Sequence, residues 1–227
     1  MRHLFIYLCL LFCTLNTTAQ INEIGVFVGA TNYIGDVGPM DYIAPNEPAI
    51  GIIYKWNRSP RHSFRFSYVQ GNIKAFDANS DVPSRNLRKF SFNNRIREFS
   101  AGLEFNFLDF DLHDGDQKFT PYIFSGVNLF IYNELFIANK ESRLDYQSSA
   151  FAIPIVLGMK ARLSEKFIIG AEFGARYTFT DNLDGSNPKN NNLADFRFGN
   201  LNSKDWYIFS GVTLTYTFGK NPCFCPN

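Results

Sequence analysis

The feature that most constrains the fold is an alternation of side-chain character with a period of two residues. Between Phe167 and Phe179 every second residue is apolar, and the residues in between are, except for Ile168, small, polar or charged. The segments 99–107 and 206–218 alternate with the same period. Neighbouring side chains of a β-strand point to opposite faces, so this pattern predicts half-buried strands. Each segment has about 10 residues or more, enough for a tilted strand to cross a bilayer.

Eight segments of this kind follow one another along the chain. They are residues 22–30, 49–57, 61–71, 95–107, 119–132, 149–163, 166–179 and 204–219. Outer-membrane barrels are closed from antiparallel strands in even numbers, and eight strands leave an interior just wide enough for side chains. The sequence therefore predicts an all-β, eight-stranded antiparallel transmembrane β-barrel of OmpA or OmpX size, with a narrow, filled lumen.

The connections between these segments are alternately long and short. The long ones are 31–48, 72–94, 133–148 and 180–203, and the short ones lie near Ser59-Pro60, at 108–118 and near Ser164-Glu165. Outer-membrane barrels have short periplasmic turns and long extracellular loops. We therefore expect an outer-membrane location, with both termini in the periplasm and the long loops outside the cell. A secreted β-protein, the other option, offers no reason for its loops to sort in this way.

The first nineteen residues have the pattern of a secretory signal peptide. Arg2 and His3 form a short basic start, residues 4–15 are mainly apolar, and residues 17–19 are small. The apolar stretch is shorter than the roughly 20 residues that a membrane helix needs. The predicted division is a signal peptide at 1–19, a barrel at 20–219 and a periplasmic, cysteine-containing tail at 220–227.

Composition narrows the class of partner. The formal net charge is +1, so nothing points to a nucleic acid. The chain has 25 Phe and 11 Tyr among 227 residues, and after the signal no stretch is apolar for long enough to form a membrane helix. Membrane barrels use aromatic side chains as girdles at the two bilayer surfaces. Outer-membrane lipids are therefore the expected surroundings.

Charged residues fall on one face of several predicted strands, the face that turns into the barrel. Four acidic and four basic residues share it: Glu23, Glu98, Glu104, Glu172, Lys55, Arg65, Lys160 and Arg176. An unpaired charge in a narrow interior is costly, so we expect these groups to pair with one another. They form a candidate lumen charge network, and this network predicts a plugged barrel rather than a pore.

Patterns that indicate catalysis or metal binding are weak. His62 and His113 are the only histidines after the signal, both beside predicted short turns, and no serine of suitable setting stands out as a nucleophile. Acidic residues at 109–116 lack the spacing of a calcium loop, which favours a solvated turn. We predict that the protein is not an enzyme and has no cofactor or metal. An outer-membrane enzyme that acts on lipid remains an alternative.

Two cysteines, Cys223 and Cys225, follow the last predicted strand. A single residue between them makes a mutual disulfide strained, and the periplasm is an oxidising compartment. One hypothesis is that Cys223 or Cys225 forms an intermolecular disulfide with another protein. The alternative, a free or internally oxidised pair, stays equally open.

Several short stretches together carry a family resemblance. They are residues 23–25, 33–36, 85–88, 91–92, 119–126, 153–160, 172–176, 178–184 and 205–207, ahead of the cysteine-containing tail. In this order and spacing the chain resembles PorG-type proteins (a DUF6089-like family), the outer-membrane barrel component of the Bacteroidetes type IX secretion system. The resemblance extends over nearly the whole chain after the signal.

The resemblance implies a non-catalytic role in protein secretion. PorG-like proteins associate with a periplasmic ring built by a lipoprotein and its partner, of the PorK and PorN type or the GldK and GldN type. They fix this ring to the outer membrane, which supports secretion and, in gliding species, motility. The alternatives are an OmpA-like or adhesin-like barrel that works through the long loops 72–94 and 180–203, and the lipid-modifying enzyme.

Overall fold

Eight antiparallel strands form one closed barrel, in which each strand pairs with its neighbours in sequence and the last strand pairs with the first. The computed structural model describes residues 21–111, 119–200 and 202–219. The predicted fold class is confirmed. The predicted signal peptide at 1–19 and the tail at 220–227 lie outside the described residues. Within the described ranges, no helix is long and apolar enough to span a membrane.

Each predicted segment corresponds to one strand, although the ends differ. The strands are β1 (Ile21–Ile34), β2 (Glu47–Asn57), β3 (His62–Phe76), β4 (Ser91–Asn106), β5 (Phe119–Ala138), β6 (Glu141–Arg162), β7 (Phe167–Thr178) and β8 (Trp206–Phe218). The other regular elements in the described ranges are the short helix α1 (Pro83–Arg88) and two 3-10 turns, Asp77–Asn79 and Asn191–Phe196.

The alternation of the sequence becomes an inside and an outside. On β7, Ile168 is buried in the barrel, whereas Phe167 is 41% exposed on the outer surface. Large rings fit inside because small residues stand beside them. Gly158 on β6 is the register partner of Tyr122 on β5, and a β-carbon at Gly158 would overlap the Tyr122 ring. Side chains therefore fill the interior.

The predicted loop at 133–148 is wrong. β5 and β6 continue through this region as a hairpin and meet in a two-residue turn at Asn139 and Lys140, whose φ angles are 56° and 72°. Both residues thus adopt the left-handed conformation of a tight hairpin turn. Neither face of β6 is buried between Glu141 and Ser149, so the sequence has no alternation with a period of two there. This is why the sequence did not predict the hairpin.

The connections alternate between the two ends of the barrel, and the predicted sorting by length holds in part. The connection 107–118, of which residues 112–118 lie outside the described ranges, is as long as 35–46 but belongs to the opposite end. The connections 35–46, 77–90 and 179–205 lie at the same end as the hairpin tip, which we call the long-connection end. The connections 58–61 and 163–166 lie at the opposite end, the short-connection end, where β1 begins and β8 finishes.

Candidate functional site

Three cations converge on one carboxylate in the part of the lumen nearer the short-connection end. Lys55 Nζ lies 2.8 Å from Glu104 Oε1, and Lys160 Nζ lies 2.7 Å from the same oxygen. Arg65 Nη1 is 3.6 Å from Glu104 Oε2. All four side chains are buried. Their mutual attraction in a low-dielectric interior offsets the cost of removing these charges from water.

Arg65 also holds a second carboxylate, with both arms of its guanidinium. Its Nη1 is 2.8 Å from Glu172 Oε2 and its Nη2 is 2.9 Å from Glu172 Oε1. The Tyr122 hydroxyl donates a 2.7 Å hydrogen bond to Glu172 Oε2. The Arg65 guanidinium lies 4.9 Å from the centroid of the Phe124 ring. Two-bond, charge-assisted pairs fix geometry as well as energy, so Arg65 links two carboxylates across the lumen.

A separate pair lies farther from the short-connection end. Arg176 Nε is 3.1 Å from Glu98 Oε2, and Arg176 Nη2 is 3.2 Å from Glu98 Oε1. The Tyr207 hydroxyl donates to Glu98 Oε2 at 2.6 Å. The ring of Phe209 lies 4.6 Å from the Arg176 guanidinium. The lumen is thus blocked at two levels by charges that neutralise each other and by the rings packed around them.

All eight candidate lumen residues lie inside the barrel, and one of them forms no ion pair with a described residue. This residue is Glu23, which accepts 2.8 Å hydrogen bonds from Asn57 Nδ2 and Thr215 Oγ1. Lys55 is the register partner of Glu23 on β2, but its ammonium contacts Glu104. The structure therefore brings seven of the predicted residues into ion pairs and places the eighth beside them.

Aspartate side chains join the long connections over the long-connection end. Asp184 Oδ2 accepts hydrogen bonds from the backbone nitrogens of Asp36 at 3.1 Å and Val37 at 3.0 Å. Asp77 Oδ1 accepts one from the backbone nitrogen of Gly38 at 2.8 Å. Charged acceptors make strong hydrogen bonds, so three connections form one body. We call this body the cap; it comprises residues 35–46, 77–90, 179–200 and 202–205.

Burial changes the titration of carboxylates in the cap. It raises the pKa of Asp184 and, more strongly, that of Asp205, which also lies near the Asp184 carboxylate. Burial also raises the pKa of Asp181 to about 6. Asp205 nevertheless accepts hydrogen bonds from the Tyr33 hydroxyl at 2.5 Å and from the Leu183 backbone nitrogen at 2.8 Å. The cap therefore contains acidic groups that titrate nearer to neutral pH than ordinary aspartates do.

Sequence reasoning missed the cap, although several stretches that carry the family resemblance meet there. Arg85 Nη1 donates to the backbone oxygen of Gly38 at 2.8 Å, and Arg88 Nη2 donates to that of Asp36 at 2.8 Å. Asp36 and Asp184 are 148 residues apart in the chain. No local sequence pattern predicts such a contact, because aspartate and other small polar residues are common in loops of every kind.

His62 stands at the start of β3, in the setting of an ordinary turn. Ser59 Oγ accepts hydrogen bonds from the backbone nitrogens of His62 at 3.0 Å and Arg61 at 3.3 Å, and lies 3.2 Å from His62 Nδ1. The Ser59 hydroxyl thus helps to close the turn. A hydrogen bond from Arg61 holds the pKa of Asp109 below its usual range. The other histidine, His113, lies outside the described residues.

The remaining site predictions concern the tail and metals. Cys223 and Cys225, the candidates for an intermolecular disulfide, lie outside the described residues. β8 ends at Phe218 at the short-connection end, and the described residues finish there at 219. Among residues 21–111, 119–200 and 202–219, no group of three or more His, Cys, Asp or Glu side chains is arranged to hold a metal ion.

The outer surface carries an apolar band between two aromatic belts. On the side towards the long-connection end the rings of Tyr68 and Phe99 lie 4.7 Å apart, and on the side towards the short-connection end those of Trp56 and Phe64 lie 5.4 Å apart. The exposed side chains between the belts include Val26, Val28, Ile50, Ile52, Val127, Ile153, Ile155, Leu157, Val212 and Leu214. Aromatic rings at the bilayer surfaces and aliphatic side chains between them are the exterior of a barrel that sits in lipid.

A closed barrel with this exterior and a filled, charged interior is a transmembrane β-barrel of the outer-membrane type. The chain belongs to the family DUF6089, described as a domain of unknown function, whose model matches residues 2–227. A search of curated proteins gives no significant match to this sequence.

Solved structures with a similar fold have very different sequences. The attachment invasion locus protein Ail of Yersinia pestis has a TM-score of 0.48 and 10% identity, covering 88% of this chain and 99% of that chain. Neisserial surface protein A has a TM-score of 0.48 and 9% identity, covering 88% of this chain and 96% of that chain. The N-terminal barrel domain of Pseudomonas aeruginosa OprF has a TM-score of 0.45 and 12% identity, covering 88% and 98%. Likeness at this level says nothing about what this chain binds.

Proposed function

We propose that this barrel is a non-catalytic outer-membrane component of a type IX protein secretion system and anchors the periplasmic ring to the outer membrane. In this arrangement the short-connection end, both termini and the tail face the periplasm, and the cap faces the outside. Secretion depends on the anchor, as does motility in a gliding species.

The observation that carries the proposal is the double closure of the barrel. Arg65 and Glu172 cross the lumen, and Asp184 helps to hold the cap over one end. A body closed in this way acts through its surfaces and not as a conduit. An anchor needs such a rigid body in the membrane and a surface that faces its partner. The resemblance to PorG-type proteins supports a ring lipoprotein and its ring partner, of the PorK and PorN or GldK and GldN type, as that partner.

The tail offers a covalent contact to the same partner. Phe218 ends β8 at the short-connection end, and Cys223 follows it five positions later. Five residues span at most about 18 Å, so the Cys223 thiol stays within reach of a protein that docks on this end. An intermolecular disulfide through Cys223 or Cys225 is therefore part of the proposal.

The test is affinity purification of the tagged barrel from membranes, with and without reductant. It compares the wild type with Cys223→Ser, Cys225→Ser and the control Ser164→Ala, a change in an exposed turn at the same end. We expect the wild type and the control to retain a ring lipoprotein and a higher-mass species on non-reducing gels, and one cysteine variant to lose that species. Absence of ring proteins from every purification, with normal secretion after deletion of the barrel, would contradict the proposal. Ring proteins without a disulfide species would contradict only the covalent contact.

A second candidate, surface binding in the manner of an adhesin, is favoured by one observation. In the cap, Met40, Tyr42 and Ile43 are 58%, 74% and 72% exposed. Exposed apolar side chains that lie together often mark interaction sites. If the barrel is an adhesin, replacing all three by serine should abolish binding to a cell surface. If it is a ring anchor, cells that carry this variant should secrete normally.

A further inference from the structure

The barrel wall opens between β4 and β5 near the long-connection end. The two strands pair from Asn106 and Tyr122 up to Arg97 and Ile131, and then both continue without pairing to each other. The β5–β6 hairpin returns to β4 only at its tip, where the backbone nitrogen of Ser91 donates to the backbone oxygen of Lys140 at 3.0 Å. An opening in the outer surface is left between these points.

The Asn94 side chain bridges this opening from the inside. Asn94 Nδ2 donates to the backbone oxygens of Asn133 and Leu183, both at 2.8 Å, and Asn94 Oδ1 accepts from the backbone nitrogen of Asn133 at 3.0 Å. No residue that faces the lumen belongs to the lining of this opening. It is a blind groove of about 270 Å³ on the outer surface.

Cationic and amide side chains line the groove. The polar ones are Asn72, Asn93, Arg95, Arg97, Asn133 and Gln147. Arg95 and Arg97 both point outwards from β4, two residues apart, so their guanidinium groups flank one space. Neither forms an ion pair with any residue that the structure describes, in contrast to Arg65, Arg88 and Arg176. Paired guanidinium groups without a carboxylate suit a phosphate, and the amides suit sugar hydroxyls.

The groove lies directly above the bilayer-facing surface. Tyr68 and Phe99 are register partners in the aromatic belt, and two residues farther along each strand Gln70 faces Arg97. At that step the outer faces of β3 and β4 change from aromatic to polar. A phosphate held by Arg97 would therefore sit at the level of lipid headgroups.

An apolar depression lies beside the groove on the bilayer-facing surface. It has a volume of about 610 Å³, and Tyr68, Phe99, Ala101 and Leu129 belong to its lining. Phe99 and Leu129 are register partners, next to the outward pair of Arg97 and Ile131. A cationic groove beside an apolar depression matches an amphipathic ligand with an anionic head.

We propose that the groove at Arg95 and Arg97 binds a phosphorylated glycolipid of the outer leaflet, of the lipid A class. The lipid phosphate contacts the two guanidinium groups, the sugar contacts the neighbouring amides, and an acyl chain lies over Ala101. The assignment to the outer leaflet rests on the proposed orientation of the barrel, with the cap outside. The contact between lipid phosphate and arginine does not depend on the ring.

The experiment measures lipid binding to the full-length processed barrel in neutral detergent, by native mass spectrometry. The probes are bisphosphorylated lipid A, the same lipid without phosphates, and inorganic phosphate. We expect Arg95→Gln with Arg97→Gln to weaken binding of bisphosphorylated lipid A by about tenfold or more, since two charge-assisted contacts are lost. The control, Arg58→Gln with Lys166→Gln, removes two exposed cations at the opposite end and should bind like the wild type.

A second variant tests the apolar part independently. Ala101→Trp fills the depression from a lipid-facing position, so it should weaken binding of the lipid while leaving the barrel folded. Equal binding by the arginine variant and the wild type, or equal binding of lipid with and without phosphates, overturns the proposal. Full competition by inorganic phosphate at equal concentration also overturns it, because the site would then be a general anion site. Ring capture by the arginine variant remains unchanged in every case, which separates this result from a failure of the anchor proposal.

Discussion

Arg65 on β3 and Glu172 on β7 form a two-bond pair across the barrel, with nitrogen–oxygen distances of 2.8 and 2.9 Å. β3 and β7 are four places apart in the ring of eight strands, so the pair braces opposite walls. Tyr122 completes the coordination of Glu172 from a third strand, β5.

The first prediction concerns this brace. Glu172→Gln removes the carboxylate that lies closest to the buried Arg65 guanidinium and leaves only the longer contact with Glu104. The free energy of unfolding should therefore fall by about 3–5 kcal/mol. The measurement is urea unfolding in detergent micelles, followed by tryptophan fluorescence. Glu165→Gln, in an exposed turn, is the matched control and should unfold like the wild type. A loss below about 0.5 kcal/mol for Glu172→Gln would show that the pair does not stabilise the barrel.

The second prediction concerns the space around Tyr122. A methyl group at Gly158 would overlap the Tyr122 ring, so Gly158→Ala should destabilise the barrel by about 1–3 kcal/mol through overpacking. Tyr122→Phe removes only the hydrogen bond to Glu172 and should cost about 1 kcal/mol. The same unfolding experiment ranks the two, with the outward Ser149→Ala as control. The reverse order would mean that the ring can move aside.

The third prediction concerns the attachment of the cap. Asp184→Ala removes the acceptor for the backbone nitrogens of Asp36 and Val37. The free energy of local unfolding of the cap should fall by about 1.5–3 kcal/mol. Hydrogen exchange of residues 179–205 should then speed up by about tenfold or more, while strand amides stay protected. Asp195→Ala, at an exposed position of the same connection, should leave exchange unchanged. Uniformly slow exchange in Asp184→Ala would mean that other contacts hold the cap.

The fourth prediction concerns pH. The pKa of Asp181 in the cap is about 6, whereas an unfolded aspartate titrates near ~3.9. Between these values the folded cap binds more protons than the unfolded chain, so its stability falls as pH rises through this window. The raised pKa values of Asp184 and Asp205 add to this fall. After correction for intrinsic rates, cap amides should exchange more slowly at acidic than at neutral pH. Asp181→Asn should make this pH dependence shallower, and the control Asp195→Asn should not. If the slope is unchanged in Asp181→Asn, groups other than Asp181 cause the pH dependence.

The fifth prediction concerns conductance. Replacing residues 183–203 by a short Gly-Ser linker removes much of the cap but leaves the ion pairs of Arg65, Glu98 and Glu104 in place. Both the wild type and this variant should therefore add no steady current to a planar bilayer. Stable open channels in the wild type would contradict a sealed lumen, and channels in the variant alone would place the seal in the cap.

Much of the barrel could be predicted from sequence because a membrane imposes a simple rule on each strand. Lipid on one side and a packed lumen on the other make neighbouring residues differ, as Phe167 and Ile168 do in exposure. The same rule located the lumen charges, since Glu104 and Lys160 share a face with small residues. It could not show which acid meets which base, because register across the barrel is not local.

The rule fails where lipid ends. Near the hairpin tip at Asn139 and Lys140, β6 has no buried face. The alternation of β5 is interrupted there by a register irregularity between Glu134 and Leu135. The cap depends on contacts such as Asp36 with Asp184, 148 residues apart. Sequence reasoning missed the groove at Arg95 and Arg97 for a related reason. Two outward arginines indicate an ordinary solvent-exposed face, and the loss of β4–β5 pairing beside them cannot be predicted from local sequence.

The lumen charge network also has a consequence for assembly. Glu104 on β4 gathers Lys55 from β2 and Lys160 from β6, and Arg65 on β3 reaches β7. None of these three ion pairs joins strands that are adjacent in the barrel. A sheet that has not yet curled shut lacks these three cross-barrel pairs, so it would expose charges such as Lys160 and Glu172 unpaired to hydrocarbon, which is strongly unfavourable. The network therefore destabilises partly closed barrels in the membrane, which favours closure in a single cooperative step.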